Sequence, residues 1–266
     1  MMFHDTTAPQ VTNVTLNVAD LNRMRAFYTD VLGLEEKTRE ANVVVLQIGD
    51  SNHTITLRYI ASGRRPAVSE AGLFHIAFLL PGAKDLADFL HFASNKGIMI
   101  SGGDHLVSEA LYLNDPEGNG IEIYRDRASE AWHWENGLVR MDKLEVDIEA
   151  LLEQRSQLGW QGMPKEAMIG HVHLKTHDLH LAQQFYIGKL GLNVVSVLPK
   201  ALFMSANDYH HHVAVNAWQS HRERIQNHAS YGLAHLDIYA PNVREETVQA
   251  PEGFEVTLYS KAVSDI

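Results

Sequence analysis

Leu111-Tyr-Leu-Asn-Asp-Pro-Glu-Gly-Asn-Gly-Ile-Glu-Ile-Tyr124 is the stretch whose reading decides the fold. Pro116 fixes φ, and Gly118 and Gly120 permit φ > 0, so Asp115 to Gly120 is a turn. Apolar residues flank it on both sides, which makes the stretch strand, tight turn, strand. In the second strand Ile121 and Ile123 alternate with Glu122 and Tyr124. One face is apolar and the other carries a carboxylate, which needs a partner or open water in the middle of a strand.

Outward from this stretch the same arrangement recurs. Before it lie a strand, Gly72 to Pro81, and a helix, Asp85 to Lys96, with Leu86, Phe89, Leu90 and Ala93 on one face and Gly97 as its stop. Nearer the start, Val11 to Val18 alternate as a strand. Asp20 caps a helix whose apolar positions are Leu21, Met24, Phe27, Tyr28, Val31 and Leu32. Val43 to Ile48 and Thr54 to Ile60 are further strands, with a short one near Glu35 to Arg39. A shift of 158 lays Val11–Leu34 on Ile169–Leu192 without a gap, with Phe27-Tyr28 on Phe185-Tyr186 and Leu32-Gly33-Leu34 on Leu190-Gly191-Leu192. Gly232 to Pro241 repeats residues 72–81 at a shift of 160, while Pro251 to Tyr259 repeats Pro116 to Tyr124 at a shift of 135. The chain is therefore an internal duplication of four units. The fourth is short by 25 residues, about a helix and a strand. Residues 127–167 form a polar linker with one expected helical stretch, Asp147 to Gln154.

Composition narrows the function. The 266 residues carry a net charge of −11 and no Lys/Arg-rich run, which argues against a nucleic-acid partner. There is no cysteine, which excludes disulfide and thiolate chemistry and suits a reducing cytoplasm. No apolar run has the length of a membrane span. The chain holds 16 histidines, and their places in the repeats matter more than their number.

The units open with strand–Asp–Leu–helix–Phe-Tyr–Leu-Gly-Leu and close with Asp-Pro-Glu-Gly-Asn-Gly-Ile-Glu. This pattern resembles the vicinal oxygen chelate superfamily, and most of all its two-domain extradiol ring-cleaving dioxygenases of the catechol 2,3-dioxygenase kind. Gly103 to Tyr112 and Tyr209-His-His-His212 are similar to segments of that group. The resemblance implies an α+β fold of four tandem βαβββ units, the fourth shortened, forming cup-shaped mixed sheets with helices outside. It implies an N-terminal domain at 9–126 (units one and two) and a C-terminal domain at 168–261 (units three and four).

In that superfamily metal ligands come from the first and last strands of the units. The matching places are Asn13, His75, His171 and His235 on first strands, and Glu122 and Thr257 on last strands. A non-haem Fe(II) dioxygenase needs two His and one carboxylate, with open positions for substrate and O₂. Units one and two lack a His. Units three and four lack a carboxylate unless Glu255 substitutes. Units two and three supply His75, His171 and Glu122, so these are the expected ligands, in a cup that those two units share.

The resemblance also places an acid–base His in a His-x-x-Ala setting, matched by His211-His-Val-Ala214, and an active-site Tyr ten residues before the carboxylate, matched by Tyr112. A His near neutral pKa suits proton relay. Strand parity leaves His212 open as the inward residue instead. His173, His212 and His105 are the expected substrate contacts.

The expectation is an Fe(II) enzyme, with Zn, Mn or Ni as alternative metals, that opens a catechol-type ring with O₂. Its partners are a small aromatic diol and O₂, without nucleic acid or membrane and with room for a homo-oligomer. The competing readings are a glyoxalase-like metal-dependent isomerase or lyase, and a non-catalytic protein that binds small aromatics.

Overall fold

A computed structural model describes residues 3–241 and 243–260. Lys261, the expected C-terminal limit of the last domain, lies outside the described residues. The first unit is β1 (Gln10–Val18), α1 (Leu21–Asp30), β2 (Glu35–Arg39), β3 (Val43–Gln47) and β4 (Thr54–Tyr59). The second is β5 (Gly72–Leu80), α2 (Ala83–Asn95), β6 (Ser101–Asp104), β7 (Ser108–Asn114) and β8 (Gly120–Asp126). The linker holds a short hairpin, β9 (Trp134–Glu135) and β10 (Leu138–Val139), and the helix α3 (Ile148–Leu152). The third unit is β11 (Met168–Lys175), α4 (Leu179–Leu190), β12 (Asn193–Leu198), β13 (Ala201–Ser205) and β14 (Val213–Asn216). The fourth has β15 (Gly232–Tyr239), β16 (Glu246–Gln249) and β17 (Glu255–Tyr259) and, among the described residues, no helix and one strand fewer. This is the α+β architecture of tandem units that the repeats imply.

Local chemistry sets the helix ends as the repeats suggest. Asp20 accepts a hydrogen bond from Arg23 N, and Asp178 from His180 N and Leu181 N, so the repeated Asp caps both helices. Gly191 closes α4 in the left-handed region at φ 66°.

Two sheets form. One runs β12-β13-β14-β11-β5-β8-β7-β6, from units two and three; the other runs β16-β17-β15-β1-β4-β3-β2, from units one and four. The sequence halves therefore each give one unit to each sheet. Val14, Leu16, Ile76, Phe78, Val172 and Leu236 from the central strands join Met24, Phe89 and Tyr186 from the helices in one core. The helices lie on this apolar side, and the opposite face of the larger sheet is left for a cavity.

The repeated Phe-Tyr pair ties the sheets together. Tyr28 of unit one donates to Asp115 Oδ2 of unit two at 3.2 Å, and Tyr186 of unit three donates to Glu252 Oε2 of unit four at 2.9 Å. Both hydroxyls and both carboxyls are buried, so each hydrogen bond satisfies two groups that would otherwise be costly to enclose.

The central pairs carry matched irregularities. Between β11 and β5 the register steps past Gly170 and past Phe74; between β1 and β15 it steps past Thr12 and Ala234. These are equivalent positions under the repeat shifts of 158 and 160. Each leaves one residue unpaired, as a β-bulge does, and bends the strand locally. At Gly170 any Cβ would collide with the Tyr124 hydroxyl, so only glycine fits.

The linker is more than a covering strap. Trp132, Val139 and Met141 pack with Val107, Phe203, Tyr209 and Ala214 in a second apolar cluster beside the cavity. No helix among the described residues is long and apolar enough to cross a membrane.

Candidate functional site

The cavity on the open face of the larger sheet measures about 680 Å³. His75 on β5, Glu122 on β8 and His171 on β11 line it. Their convergence follows from register. Ala77 on β5 pairs with Glu122 on one side and with His171 on the other. With only a methyl group between them, the two flanking side chains lean over Ala77 and meet His75 from the same face.

Glu122 Oε2 lies 2.8 Å from His75 Nε2 and 3.4 Å from His171 Nε2. One ligand atom from each of the three residues falls within 4.8 Å of the others, and all three residues are buried. His75 Nε2 has no hydrogen-bond partner despite its closeness to the carboxylate, because the alignment is poor. Two donors bound cis to one ion at about 2.1 Å lie roughly 3 Å apart, so these separations fit a shared divalent cation. The protonation states fit as well. Burial would raise the Glu122 carboxyl, but His171 and His75 outweigh it and hold the group well below its usual value. Burial pushes His171 down to about 4, against the pull of Glu122. An ionised carboxylate and a neutral imidazole are the forms that bind a metal.

His211 lies at the cavity wall with its ring centroid 4.0 Å from that of His171. His210 Nε2 is 2.8 Å from Asp126 Oδ1, and His210 Nδ1 is 2.7 Å from His211 Nδ1. Asp126 only accepts, so His210 carries its proton on Nε2 and leaves Nδ1 bare. His211 then donates from Nδ1, and its Nε2 lone pair is free for the cavity. Burial, with the neighbouring His171 and His210, lowers the His211 pKa well below its ordinary value and keeps the ring neutral. The Tyr209 hydroxyl also reaches Asp126 Oδ1, at 3.3 Å, and Tyr124 meets Tyr209 at 2.7 Å.

Parity left His212 open as the inward residue, but His211 and not His212 lines the cavity. His212 is turned away from the cavity. Its Nδ1 is 3.1 Å from Ser205 Oγ and its Nε2 is 3.0 Å from the Phe3 carbonyl. The expectation of His212 as a substrate contact is therefore corrected, since both of its ring nitrogens are already partnered behind the wall.

Tyr112 sits opposite Glu122 across β7 and β8. Burial and the Glu122 charge push its hydroxyl well above the usual range, so it stays protonated. His105 Nδ1 donates to the Asp142 carbonyl at 2.8 Å, which leaves Nε2 to accept from the Tyr112 hydroxyl at 2.5 Å. His173 faces His75 across the strands and accepts from Asn216 Nδ2 at 2.9 Å through Nε2. His105, Tyr112 and His173 all line the cavity.

Several wall residues escaped the sequence reading. Regular strand alternation would put Phe74 on the core face with Ile76 and Phe78. As the bulged residue of β5 it turns into the cavity instead, its ring 4.9 Å from that of His173 and 5.5 Å from Trp218. Phe203 and Met99 complete an apolar wall, and Met141 and Asp142 come from the linker. Phe203 shows its outward parity in the sequence once β13 is placed; the others leave no local signal.

The sister cup contains the places equivalent to the ligands, and they are closed by mutual hydrogen bonds. Asn13 Nδ2 donates to Asp237 Oδ2 at 2.9 Å, Thr54 and Thr56 donate to Asn13 Oδ1, and His235 Nε2 lies 3.1 Å from Asp237 Oδ1. Among the described residues, His75, Glu122 and His171 are the group that could hold a metal.

A fold of paired βαβββ units, with two His and one Glu that could hold a metal on adjacent strands, is an α+β arrangement of the vicinal oxygen chelate type. The model of the Glyoxalase/Bleomycin resistance protein/Dioxygenase superfamily matches residues 10–123. The catechol-2,3-dioxygenase of Bacillus subtilis (strain 168) is 36% identical over 242 residues, covering 86% of this chain and 82% of that one. The chain belongs to this superfamily, and the enzyme class of that relative is the one expected from the sequence. A solved chain of Bacillus subtilis subsp. subtilis str. 168 assigned as a dioxygenase shares the fold, with TM-score 0.65, 13% identity, and coverage of 94% of this chain and 84% of that one. Glyoxalase I from Zea mays does so too, with TM-score 0.58, 14% identity, and coverage of 94% and 92%. At such identities the likeness concerns the fold alone.

Proposed function

We propose that this chain is an Fe(II)-dependent extradiol dioxygenase that cleaves a catechol-type ring with O₂. One observation carries the reading. A neutral His with a free Nε2 stands against a two-His, one-Glu cluster in an aromatic-walled cavity, in a chain 36% identical to a catechol-2,3-dioxygenase.

His75, Glu122 and His171 would hold the iron, which would bring diol and O₂ together and supply the redox chemistry that O₂ needs to react with a closed-shell ring. The remaining residues bind the ring and move protons. Phe74, Phe203 and Trp218 present rings to the flat faces of an aromatic substrate, an apolar surround that favours its entry. A diol must lose protons to become a good chelate, and His211 Nε2 is placed to take one. Its Nδ1 proton stays on the hydrogen bond to His210, so the ring becomes an imidazolium facing the Asp126–His210 chain, which the carboxylate stabilises. The same nitrogen later returns the proton to the opened product. Tyr112 keeps its hydroxyl proton, which His105 orients. His173 is held by Asn216 and fixes the wall beside His75. A volume of about 680 Å³ lies within the range of ligand pockets and leaves room for substituents on the ring. A cytoplasmic setting, which keeps iron ferrous, belongs to the same proposal.

An isomerase of the glyoxalase kind adds a second carboxylate or Gln to its metal. Among the described residues the cluster offers three ligands, which favours the dioxygenase reading. The test is turnover of catechols by reduced, iron-loaded protein, compared with turnover of a glutathione hemithioacetal. A yellow ring-opened product is expected with the first and none with the second.

A further inference from the structure

We propose that a second cavity, at the seam between the two sheets, binds a small polyanion through carboxylate or phosphate groups. The cavity measures about 400 Å³ and draws its walls from several segments: Arg65 from the connection into unit two, Gly72 from the start of β5, Asn119 from the turn before β8, Lys175 from β11, Arg224 and Tyr231 from the connection into unit four. Arg65, Lys175 and Arg224 bring three cationic side chains to it. Among the described residues that line it, Glu117 is the carboxylate, and its oxygens accept from Ala19 N and Asp20 N at 2.8–3.0 Å. In a chain of net charge −11 this is a local reversal of sign.

Arg224 is the centre of the argument. It is only 8% exposed, yet no carboxylate pairs with it. Nη2 donates to the Tyr231 carbonyl at 2.9 Å, and Nε is buried without an acceptor. Gly72, with φ +143°, makes room for it, since a Cβ there would stand 2.6 Å from Nη1. The neighbouring Glu70 is already engaged by Arg64 in a two-pronged pair at 2.7 Å for each oxygen. Lys175 Nζ has the Val68 carbonyl at 3.2 Å. Arg65 stands over the Tyr231 ring at 5.5 Å from its centroid.

Enclosing a guanidinium without a counter-charge is costly, and an enclosed cation recovers that cost when an anion joins it. A guanidinium fork matches carboxylate and phosphate oxygens in pairs, with an ammonium as a second point charge. Three cations and a volume larger than one phosphate group select a di- or trianion over a chloride-like ion. Phe74, Asn114 and Gly120 line both this cavity and the larger one. The anion is therefore either a free metabolite-sized acid or an acidic arm on the ring-bearing substrate.

Calorimetric titration of metal-free protein at low ionic strength with inorganic phosphate, and separately with succinate, tests the site. Saturable binding of one anion per chain is expected, weakened ~10-fold or more by Lys175→Gln and by Arg224→Gln. His75→Ala should bind the anion like the wild type, which separates this site from the ring-cleavage reading and leaves the result independent of any turnover. Absence of saturable binding, or binding untouched by Lys175→Gln, overturns the proposal; Lys175 lies outside the core, so that variant decides even where Arg224→Gln unfolds. Steady-state turnover of a catechol bearing a carboxylate side chain, with catechol itself as the control and phosphate added to both, then separates the two sources. A KM raised by phosphate for the carboxylate-bearing substrate alone assigns the cations to a substrate arm, and an unchanged KM for both assigns them to a free anion.

Discussion

The Nδ1 atoms of His210 and His211 lie 2.7 Å apart, and Asp126 holds the far nitrogen of His210 at 2.8 Å. Three residues from two distant segments thus fix which nitrogen of His211 is free. Asp126→Ala removes the acceptor that orders the chain. It should lower kcat by ~10–100-fold while iron content and KM stay near wild type. Steady-state kinetics with metal analysis decide this; a raised KM at constant kcat would show that Asp126 serves substrate binding instead.

His211→Phe and His212→Phe form a matched pair. The first should retain iron and catechol binding and slow ring opening by ~10²–10⁴-fold. The second should leave kcat intact, because His212 bonds Ser205 and Phe3 away from the cavity. A large kcat loss in His212→Phe with a harmless His211→Phe would reverse the assignment.

Ala77 is the floor on which the cluster closes. Ala77→Val places two methyl groups between Glu122 and His171, and overpacking of this kind costs about 1–3 kcal/mol. The expected result is a folded protein with little bound iron by elemental analysis. Full metal occupancy in this variant would refute the register argument.

Glu252 links stability to pH. Burial raises its carboxyl from 4.5 to about 7, so the folded chain holds this proton more tightly than the unfolded chain. The associated stability is complete below the unfolded value and is lost as pH rises towards the folded one, a loss of up to about 3 kcal/mol. Glu252→Gln keeps an acceptor for Tyr186 and should remove this slope. Its Tm should exceed wild type at pH 8 and match it near pH 4.5. Parallel Tm curves across that range would mean that Glu252 stays charged in the fold.

Much of this was legible because duplication exposes itself. Asp20 and Asp178, Phe27-Tyr28 and Phe185-Tyr186 announce equivalent helices, and they do cap and tie them. The convergence of His75, Glu122 and His171 followed from asking which pair of units offers a complete ligand set, and the sheets join that pair. What stayed hidden is non-local or irregular. A bulge at Phe74 looks like any alternating strand until its partner is known. The His210–Asp126 contact joins residues 84 positions apart. Met141 and Asp142 sit in a linker whose polar composition carries no signal of a site, and only the packing of Trp132 beside β13 shows why they reach the cavity.

The central claim is that iron held by His75, Glu122 and His171 couples ring opening to O₂. Oxygen-electrode measurement on anaerobically reconstituted Fe(II) protein given catechol tests it most directly. The account predicts one O₂ consumed per ring opened, with consumption abolished in Glu122→Ala although the variant stays folded. Iron-loaded wild type that consumes no O₂ with any of several substituted catechols, or Glu122→Ala that consumes it at the wild-type rate, would contradict it.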